Sequence, residues 1–407
     1  MTRVLLVCPE RLGHRHPAGV GIRFLEFARA LRADGHTVEM LSPDAGEVEG
    51  CRSGPLQPLD IREATSRAEA VVVQGHATNE LFAYGVERPT VVDLYDPYLV
   101  ENFHYWDELG ERVFRHDHAT LLGSLRRGDL FLCASEAQRL FYTGLLAAAG
   151  RVNPALFAAD PALESLLRIV PFGVQPPRRS PARGDARAIF FGAVYDWYDP
   201  MLAVDAVAIA RRDEPALSLT FTHHPNAEST PQSLFARLRE KVEREGSSFV
   251  RFEPWVAYDE RGAFYDRFGL ALLTFRPSLE TDLAMRTRMF DCFWGGLPVV
   301  TSSAGGTDSI VERYGAGRVV RGEEPSAYAA AILELLRDRD GYERVVAGCE
   351  AFARDHQWPR LLEPLLAFCR QPRHEPTRNA FTVEVPELKG GAEPLFRRVR
   401  RVLRGGR

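Results

Sequence analysis

The residues with the clearest chemical potential lie between Glu280 and Val300, where a polar loop is followed by a predicted helix and an apolar strand. Arg286 and Arg288 flank Thr287 at the expected start of this helix. The unpaired N–H groups of a first helical turn attract anions, and guanidinium groups bind phosphate oxygens in pairs. The segment therefore predicts a diphosphate site, although an ordinary helix with solvated arginines fits the same residues.

Asp291 lies one turn further along the same predicted helix. Its carboxylate could accept hydrogen bonds from ribose hydroxyls, so that the whole segment would suit a nucleotide. The alternative interpretation is a surface aspartate that binds nothing.

A glycine-bearing loop connects the first apolar strand to the first amphipathic helix and contains Gly19 and Gly21. Glycine permits close backbone approach of a ligand to the start of a helix. A simple turn is the alternative. The spacing is not the Gly-x-Gly-x-x-Gly of a dinucleotide site, which argues against an oxidoreductase.

Two polar side chains of the N-terminal half follow apolar strands directly. His76 comes after the strand that ends near Gln74, and Asp96 comes after the strand that ends near Leu94. Because ligands of parallel sheets bind outside the carboxyl ends of the strands, both residues are candidates for substrate positioning or proton transfer. Both could equally be ordinary loop residues.

Aromatic residues follow the first strand of the C-terminal half. Gly192 ends the run Phe190-Phe191-Gly192, and Trp197 and Tyr198 come shortly after it. Their rings could stack on a sugar or a nucleobase, or they could pack at the end of the strand.

The position of each of these residues is set by the helices and strands around it. Along the whole chain, apolar strands alternate with amphipathic helices. Strands are predicted at 3–8, 37–41, 70–73, 90–94, 130–134 and 167–170, and then at 188–191, 217–222, 249–252, 270–273, 298–301 and 317–320. This alternation is typical of parallel, doubly wound sheets. We therefore expect an α/β protein with two such sheets.

Length and composition are consistent with two globular domains. A chain of 407 residues exceeds what one hydrophobic core usually serves. We predict an N-terminal domain at 1–175, a proline- and arginine-rich linker at 176–186 and a second domain at 187–356. The six cysteines are scattered without metal-ligand spacing, and the chain enters a strand within three residues, so we expect no metal and a cytoplasmic location.

The segment ending in Gly296-Leu-Pro-Val-Val resembles the donor-binding motif of GT-B glycosyltransferases, particularly the retaining family four, the glycosyl transferases group 1. That motif is Glu-x7-Glu followed by small residues, a glycine and a Pro-Val-Val strand. The alignment places Asp291 on the second glutamate, which holds the nucleotide ribose in the family. The first glutamate falls on Leu283, and we expect Glu280 or Asp282 to be the substitute if a shifted loop supplies one.

A second departure lies in the stretch around Gly192, where relatives carry an arginine and a lysine for the diphosphate. Neither is present here. Phosphate charge must then be met by Arg286, Arg288 and helix N-termini.

The resemblance covers roughly residues 1–370 and implies two Rossmann-like domains that face a central cleft. It places the loop of Gly19 and Gly21 over the donor phosphates and Trp255 near the nucleotide base. It also implies an acceptor site on the N-terminal domain, near Asp96 and His76, and a crossover helix at 357–371.

The implied function is sugar transfer from a nucleotide-diphosphate sugar to a glycan, lipid-linked or small-molecule acceptor, with retention, in bacterial glycan, polysaccharide or glycolipid biosynthesis. The nucleotide sugar is a co-substrate, and neither a cofactor nor a nucleic-acid partner is expected. The alternatives are a nucleotide-sugar epimerase of the same fold and a non-catalytic sugar-binding or scaffold protein.

The tail at 372–407 is basic, with six arginines against one glutamate from Glu393 to Arg407. Apolar residues recur at helical spacing among these arginines, which is typical of helices on anionic membranes. We expect peripheral contact with the inner membrane face, with a solvated tail as the alternative. We also expect the catalytic fold to be complete by about Arg370.

Overall fold

The computed structural model describes residues 1–13, 17–178, 185–224 and 230–380. They form two α/β domains, each with one parallel sheet covered by helices. The predicted pair of doubly wound sheets is confirmed.

The N-terminal domain contains a seven-stranded sheet in the order β3-β2-β1-β4-β5-β6-β7. Its strands are β1 Arg3–Val7, β2 Thr37–Ser42, β3 Arg52–Pro55, β4 Ala70–Gln74, β5 Thr90–Asp93, β6 Leu130–Cys133 and β7 Leu167–Ile169. The sequence predicted all of them except β3, because Arg-Ser-Gly-Pro has no apolar pattern. A proline is tolerated there since β3 is the edge strand.

The helices of this domain connect successive strands. They are α1 Gly19–Ala33, α2 Pro58–Arg67, α3 Ala77–Tyr84, α4 Tyr98–Glu101, the 3-10 helix η1 Asn102–Tyr105, α5 Trp106–Arg127, α6 Glu136–Ala148 and α7 Pro154–Ala159. Helix α5 is interrupted at Gly110, whose φ of 69° suits glycine. Ser135 caps α6 by accepting a hydrogen bond from the backbone N of Gln138 at 3.2 Å.

The C-terminal domain contains a six-stranded sheet in the order β10-β9-β8-β11-β12-β13. Its strands are β8 Asp185–Ala193, β9 Ser218–Thr222, β10 Val250–Glu253, β11 Phe268–Leu273, β12 Val299–Ser302 and β13 Gly317–Val320. The linker predicted at 176–186 therefore ends earlier than expected, because β8 already begins at Asp185. Residues 179–184 of that linker lie outside the described ranges.

Helices again alternate with these strands. They are α8 Pro200–Ala210, α9 Ser233–Arg244, the 3-10 helix η2 Tyr258–Glu260, α10 Arg261–Tyr265, α11 Leu279–Leu283, α12 Thr287–Trp294, α13 Gly305–Tyr314, α14 Pro325–Arg337 and α15 Arg339–Asp355. The chain then returns to the N-terminal domain through α16 Trp358–Leu361 and α17 Glu363–Arg370, where one crossover helix was predicted.

The expectation that the fold is complete by about Arg370 is wrong. Glu375 is buried, and its carboxylate lies 3.3 Å from the guanidinium of Arg151. The backbone N of Glu375 donates to Asp129 at 2.9 Å. Residues beyond α17 therefore pack on the N-terminal domain, because two buried charges of that domain find partners there.

No helix within the described ranges is both long and apolar enough to cross a membrane. The arginine-rich stretch of the tail lies outside those ranges, since they end at residue 380. The membrane contact predicted for it stays a prediction.

Candidate functional site

The glycine loop at the start of α1 lies against the C-terminal domain. A Cβ placed on Gly19 would lie 3.1 Å from the hydroxyl oxygen of Tyr95 and 3.9 Å from that of Thr287, the first residue of α12. The starts of α1 and α12 therefore meet in the cleft between the domains, and a glycine is what permits this approach.

The start of α1 is already occupied by a carboxylate of the protein. Glu10 accepts hydrogen bonds from the backbone N of Ala18 and, at 2.5 Å, from that of Gly21. Burial raises the pKa of this carboxyl group. The predicted role of this loop over donor phosphates therefore has to accommodate Glu10, which the sequence analysis did not single out.

Arg286 precedes α12 and forms a buried ion pair with Glu280. Its two terminal nitrogens lie 2.8 and 2.9 Å from the two carboxylate oxygens, and the two residues are only 4% and 1% exposed. This pairing argues against the expectation that Arg286 binds a phosphate, because Glu280 already balances the charge of the guanidinium group. Glu280, one of the two suggested substitutes for the first motif glutamate, thus binds an arginine in this structure.

Arg288 is the second residue of α12, and its side chain reaches the stretch around Gly192 that was expected to lack a basic group. It donates to the carbonyl oxygens of Phe191 at 2.9 Å and Ala193 at 2.6 Å. Gly192, with φ of +93°, leaves room for it, since a Cβ there would lie 2.9 Å from its Nε. Within the described part of the chain Arg288 forms no ion pair with a carboxylate, so its charge is available at the end of β8.

Asp291 lies in the second turn of α12 and faces Arg261, whose Nε is 3.4 Å from its Oδ1. Burial raises the pKa of Asp291, and the arginine opposes this effect. Trp255 is half-buried in the loop between β10 and η2, at the carboxyl edge of the same sheet.

Trp197 packs between the domains. Its ring stacks on Tyr195 with centroids 4.8 Å apart, and its edge approaches Tyr105 at 6.1 Å and His104 at 6.4 Å. Neighbouring aromatic rings thus contact Trp197, as the packing alternative expects, and stacking of this ring on a sugar or base stays a prediction.

Asp96 lies beside a second carboxyl group, that of Glu101. The carboxyl group of Glu101 and the side-chain amide of Gln74 are among the groups that act on the pKa of Asp96. Burial raises the pKa of both carboxyl groups, and repulsion between them raises that of Glu101 further. Both effects favour the protonated forms, and Glu101 is a site residue that the sequence analysis missed.

His76 is half-exposed and is supported by a buried aspartate. Its Nε2 lies 3.4 Å from Oδ1 of Asp117, whose other oxygen accepts from Asn102 at 2.7 Å. The imidazole also packs on Tyr98 and His116, with centroids 5.1 and 5.3 Å away. The carboxyl edge of the N-terminal sheet therefore presents His76 and Asp96 on neighbouring loops, as predicted from the strand pattern.

The domains contact each other directly around these residues. Gln138 on α6 donates both to the carbonyl oxygen of Tyr95 at 2.9 Å and, across the cleft, to that of Leu283 at 3.1 Å. His104 approaches Ser278 at 3.4 Å. Among the described residues no group of three or more metal-ligating side chains is assembled.

We expect Glu101→Gln to raise the melting temperature relative to the native chain, and increasingly so as pH rises. A carboxyl group with a raised pKa stabilises the fold while protonated and loses that contribution as pH passes through the raised value. Glutamine mimics the protonated form at every pH. Thermal unfolding from about pH 4.5 to about pH 8.5 measures the difference.

Glu108→Gln is the matched control, because Glu108 is exposed on α5 in the same segment. A melting-temperature difference for Glu101→Gln that is constant over the pH range would contradict a raised pKa of Glu101.

Comparison with known proteins agrees with this arrangement. Residues 185–338 match the family model described as glycosyl transferases group 1. Over 231 residues the chain is 26% identical to the D-inositol 3-phosphate glycosyltransferase of Salinispora tropica. This alignment covers 52% of this chain and 46% of that protein. The chain thus matches about half the length of that curated relative.

Solved structures share the fold over most of the chain. HepE from Anabaena in complex with UDP-glucose has a TM-score of 0.66 at 15% identity, covering 90% of this chain and 98% of that one. Sucrose-phosphate synthase from Thermosynechococcus elongatus has a TM-score of 0.63 at 13% identity, and the match covers 91% of this chain and 99% of that one.

Two Rossmann-like domains whose sheets present their carboxyl edges to one cleft define the GT-B fold. The match to the glycosyl transferases group 1 lies in the C-terminal domain, at residues 185–338. The family expected from the 280–300 segment is therefore confirmed.

Proposed function

We propose that this chain is a glycosyltransferase that moves a sugar from a nucleotide-diphosphate sugar, held mainly by the C-terminal domain, to an acceptor held by the N-terminal domain. The observation that carries the proposal is the guanidinium of Arg288, which extends from the first turn of α12 to the carboxyl end of β8 and pairs with no carboxylate among the described residues. HepE, which shares the fold, was solved with UDP-glucose.

The chemistry on the donor side is charge stabilisation. Negative charge grows on the leaving diphosphate as the glycosidic bond breaks, and prepositioned donors stabilise it more in the transition state than in the ground state. Arg288 supplies a positive charge at this point, whereas the backbone N–H groups of Thr287 and Met289 already donate to the carbonyl oxygens of Met285 and Arg286 at 2.9 Å. Arg286, directly before α12, is held in place by its ion pair with Glu280 and so stabilises the turn into that helix. The nucleotide sugar is the co-substrate, and no further cofactor is invoked.

The acceptor side offers carboxyl groups and an imidazole. Asp96 follows β5, with Glu101 of α4 beside it, and His76 follows β4, with its Nε2 3.4 Å from Oδ1 of Asp117 on α5. We propose that they position the acceptor hydroxyl for attack from the face that the diphosphate leaves, which gives retention. Bacterial glycan, polysaccharide or glycolipid synthesis is the proposed setting, and contact of the arginine-rich tail with an anionic membrane stays a prediction.

A panel of UDP-, GDP- and dTDP-sugars with chromatographic analysis of the products tests the proposal. Release of free sugar or transfer to an added acceptor supports it. Conversion of the donor into its epimer would favour the epimerase alternative, and binding without turnover would favour the non-catalytic one.

We predict that Asp291→Ala weakens binding of the accepted donor by about 10- to 150-fold, because hydrogen bonds to a charged carboxylate contribute about 1.5–3 kcal/mol. Because Asp291 pairs with the buried Arg261, thermal unfolding of the variant is measured beside the affinity, and a folded variant is required for the comparison. Calorimetric titration measures the affinity.

The matched control is Asp213→Ala, an exposed aspartate after α8 whose partner is the exposed Arg337. Equal affinities of Asp291→Ala and the native chain would remove Asp291 from the donor site.

A further inference from the structure

Arg261 is a buried arginine at the start of α10, directly after the loop at the carboxyl end of β10. It is 8% exposed. The centre of its guanidinium group lies 3.7 Å from the ring centroid of Tyr258 and 4.3 Å from that of Trp294. Its Nη1 donates to the carbonyl oxygen of Tyr258 at 2.6 Å. Two aromatic rings and one hydrogen bond thus fix the orientation of the group.

The remaining donors of this group are unsatisfied. Nε lies at ion-pair distance from Asp291, 3.4 Å from Oδ1, but without hydrogen-bond geometry. Nη2 is buried and has no hydrogen-bond partner within the described part of the chain. Buried donors are nearly always paired in folded proteins, so an unpaired one beside a candidate ligand site indicates a partner that binds there.

A carboxylate of the other domain does not take these donors. Glu26 on α1 feels the charge of Arg261. However, neither unsatisfied nitrogen of Arg261 is hydrogen-bonded to Glu26, whose Oε1 accepts from Arg29 at 2.5 Å and from Gln175 at 2.6 Å. The two unsatisfied nitrogens of Arg261, Nε and Nη2, therefore remain as donors on the side of Asp291.

We propose that Arg261 is a specificity-determining residue of the donor site, which donates from Nη2 to one ribose hydroxyl while Asp291 accepts from its neighbour. A carboxylate beside a guanidinium edge offers an acceptor and a donor together, and a vicinal diol matches both because each hydroxyl donates and accepts. This inference rests on the proposed function and narrows the donor to a ribonucleotide. A 2′-deoxy nucleotide would leave one of these protein groups unpaired.

Calorimetric titration of the full chain with UDP, GDP and ADP, each against its 2′-deoxy counterpart, tests the proposal. The preferred ribonucleoside diphosphate should bind about 10-fold or more tightly than its 2′-deoxy form, as expected for one unpaired charged hydrogen bond. In Arg261→Met this ratio should fall toward 1, because methionine keeps apolar contact with the two rings but carries no donor.

Arg267→Met is the matched control and should keep the native ratio, since Arg267 is half-exposed and pairs with Glu253. Equal binding of ribo and deoxy forms by the native chain would overturn the inference alone, whether or not the variant folds. An unchanged ratio in Arg261→Met would overturn it as well. Failure of every nucleotide to bind would overturn the proposed function and this inference with it.

Discussion

Arg288→Ala is expected to lower kcat by about 100- to 1000-fold while changing the affinity for the nucleoside diphosphate much less, as is typical when one transition-state donor is removed. Arg288 is held by the carbonyl oxygens of Phe191 and Ala193, which carry no full negative charge. Its positive charge is therefore left to stabilise the diphosphate. Steady-state kinetics with the donor accepted in the panel, and titration with the corresponding diphosphate, separate the two effects.

Two further variants sharpen this test. Arg288→Lys should recover part of the rate, because a lysine keeps the charge but cannot form the paired contacts of a guanidinium. Arg212→Ala, at an exposed position after α8, should behave as the native chain does. A native rate for Arg288→Ala would mean that the phosphate charge is neutralised elsewhere and that the position of this arginine has no catalytic consequence.

A chain that ends at Arg373 is expected to be about 3–5 kcal/mol less stable than one that ends at Ala380, the cost typical of removing one partner from a buried charge pair. The shorter chain lacks Glu375, the partner of the buried Arg151. It also leaves Asp129 buried without the backbone donor at 2.9 Å. Urea unfolding of both truncated chains measures the difference.

The control compares the full-length chain with the chain that ends at Ala380. Both keep the segment that contains Glu375, so their stabilities should be similar. Glu375→Gln in the full-length chain tests the charge separately and should lose part of the same stability. Equal unfolding midpoints for the chains ending at Arg373 and Ala380 would show that this segment is not needed. Any membrane-binding test of the tail should therefore use the Ala380 end point.

The sequence by itself determined the two parallel sheets and the position of the donor motif. Buried strands such as β4 and β11 consist almost entirely of apolar residues, so they are visible as nearly continuous runs. The start of α12 was visible because the 280–300 segment changes from polar loop to helix to strand within a few residues. Edge strand β3, which is neither buried nor apolar, gave no such signal.

Tertiary structure alone decided which charged groups meet. Arg286 and Arg288 are two residues apart and chemically alike, yet one is neutralised by Glu280 and the other reaches the end of β8. Likewise Arg261 meets Asp291, and Arg151 meets Glu375 from the far end of the chain. Periodicity records only whether a position is buried, whereas a long side chain pairs with whatever the crossing of loops and helices brings within about 4 Å. For that reason the sequence predicted a site with arginines and carboxylates, and the fold assigned each of them its partner.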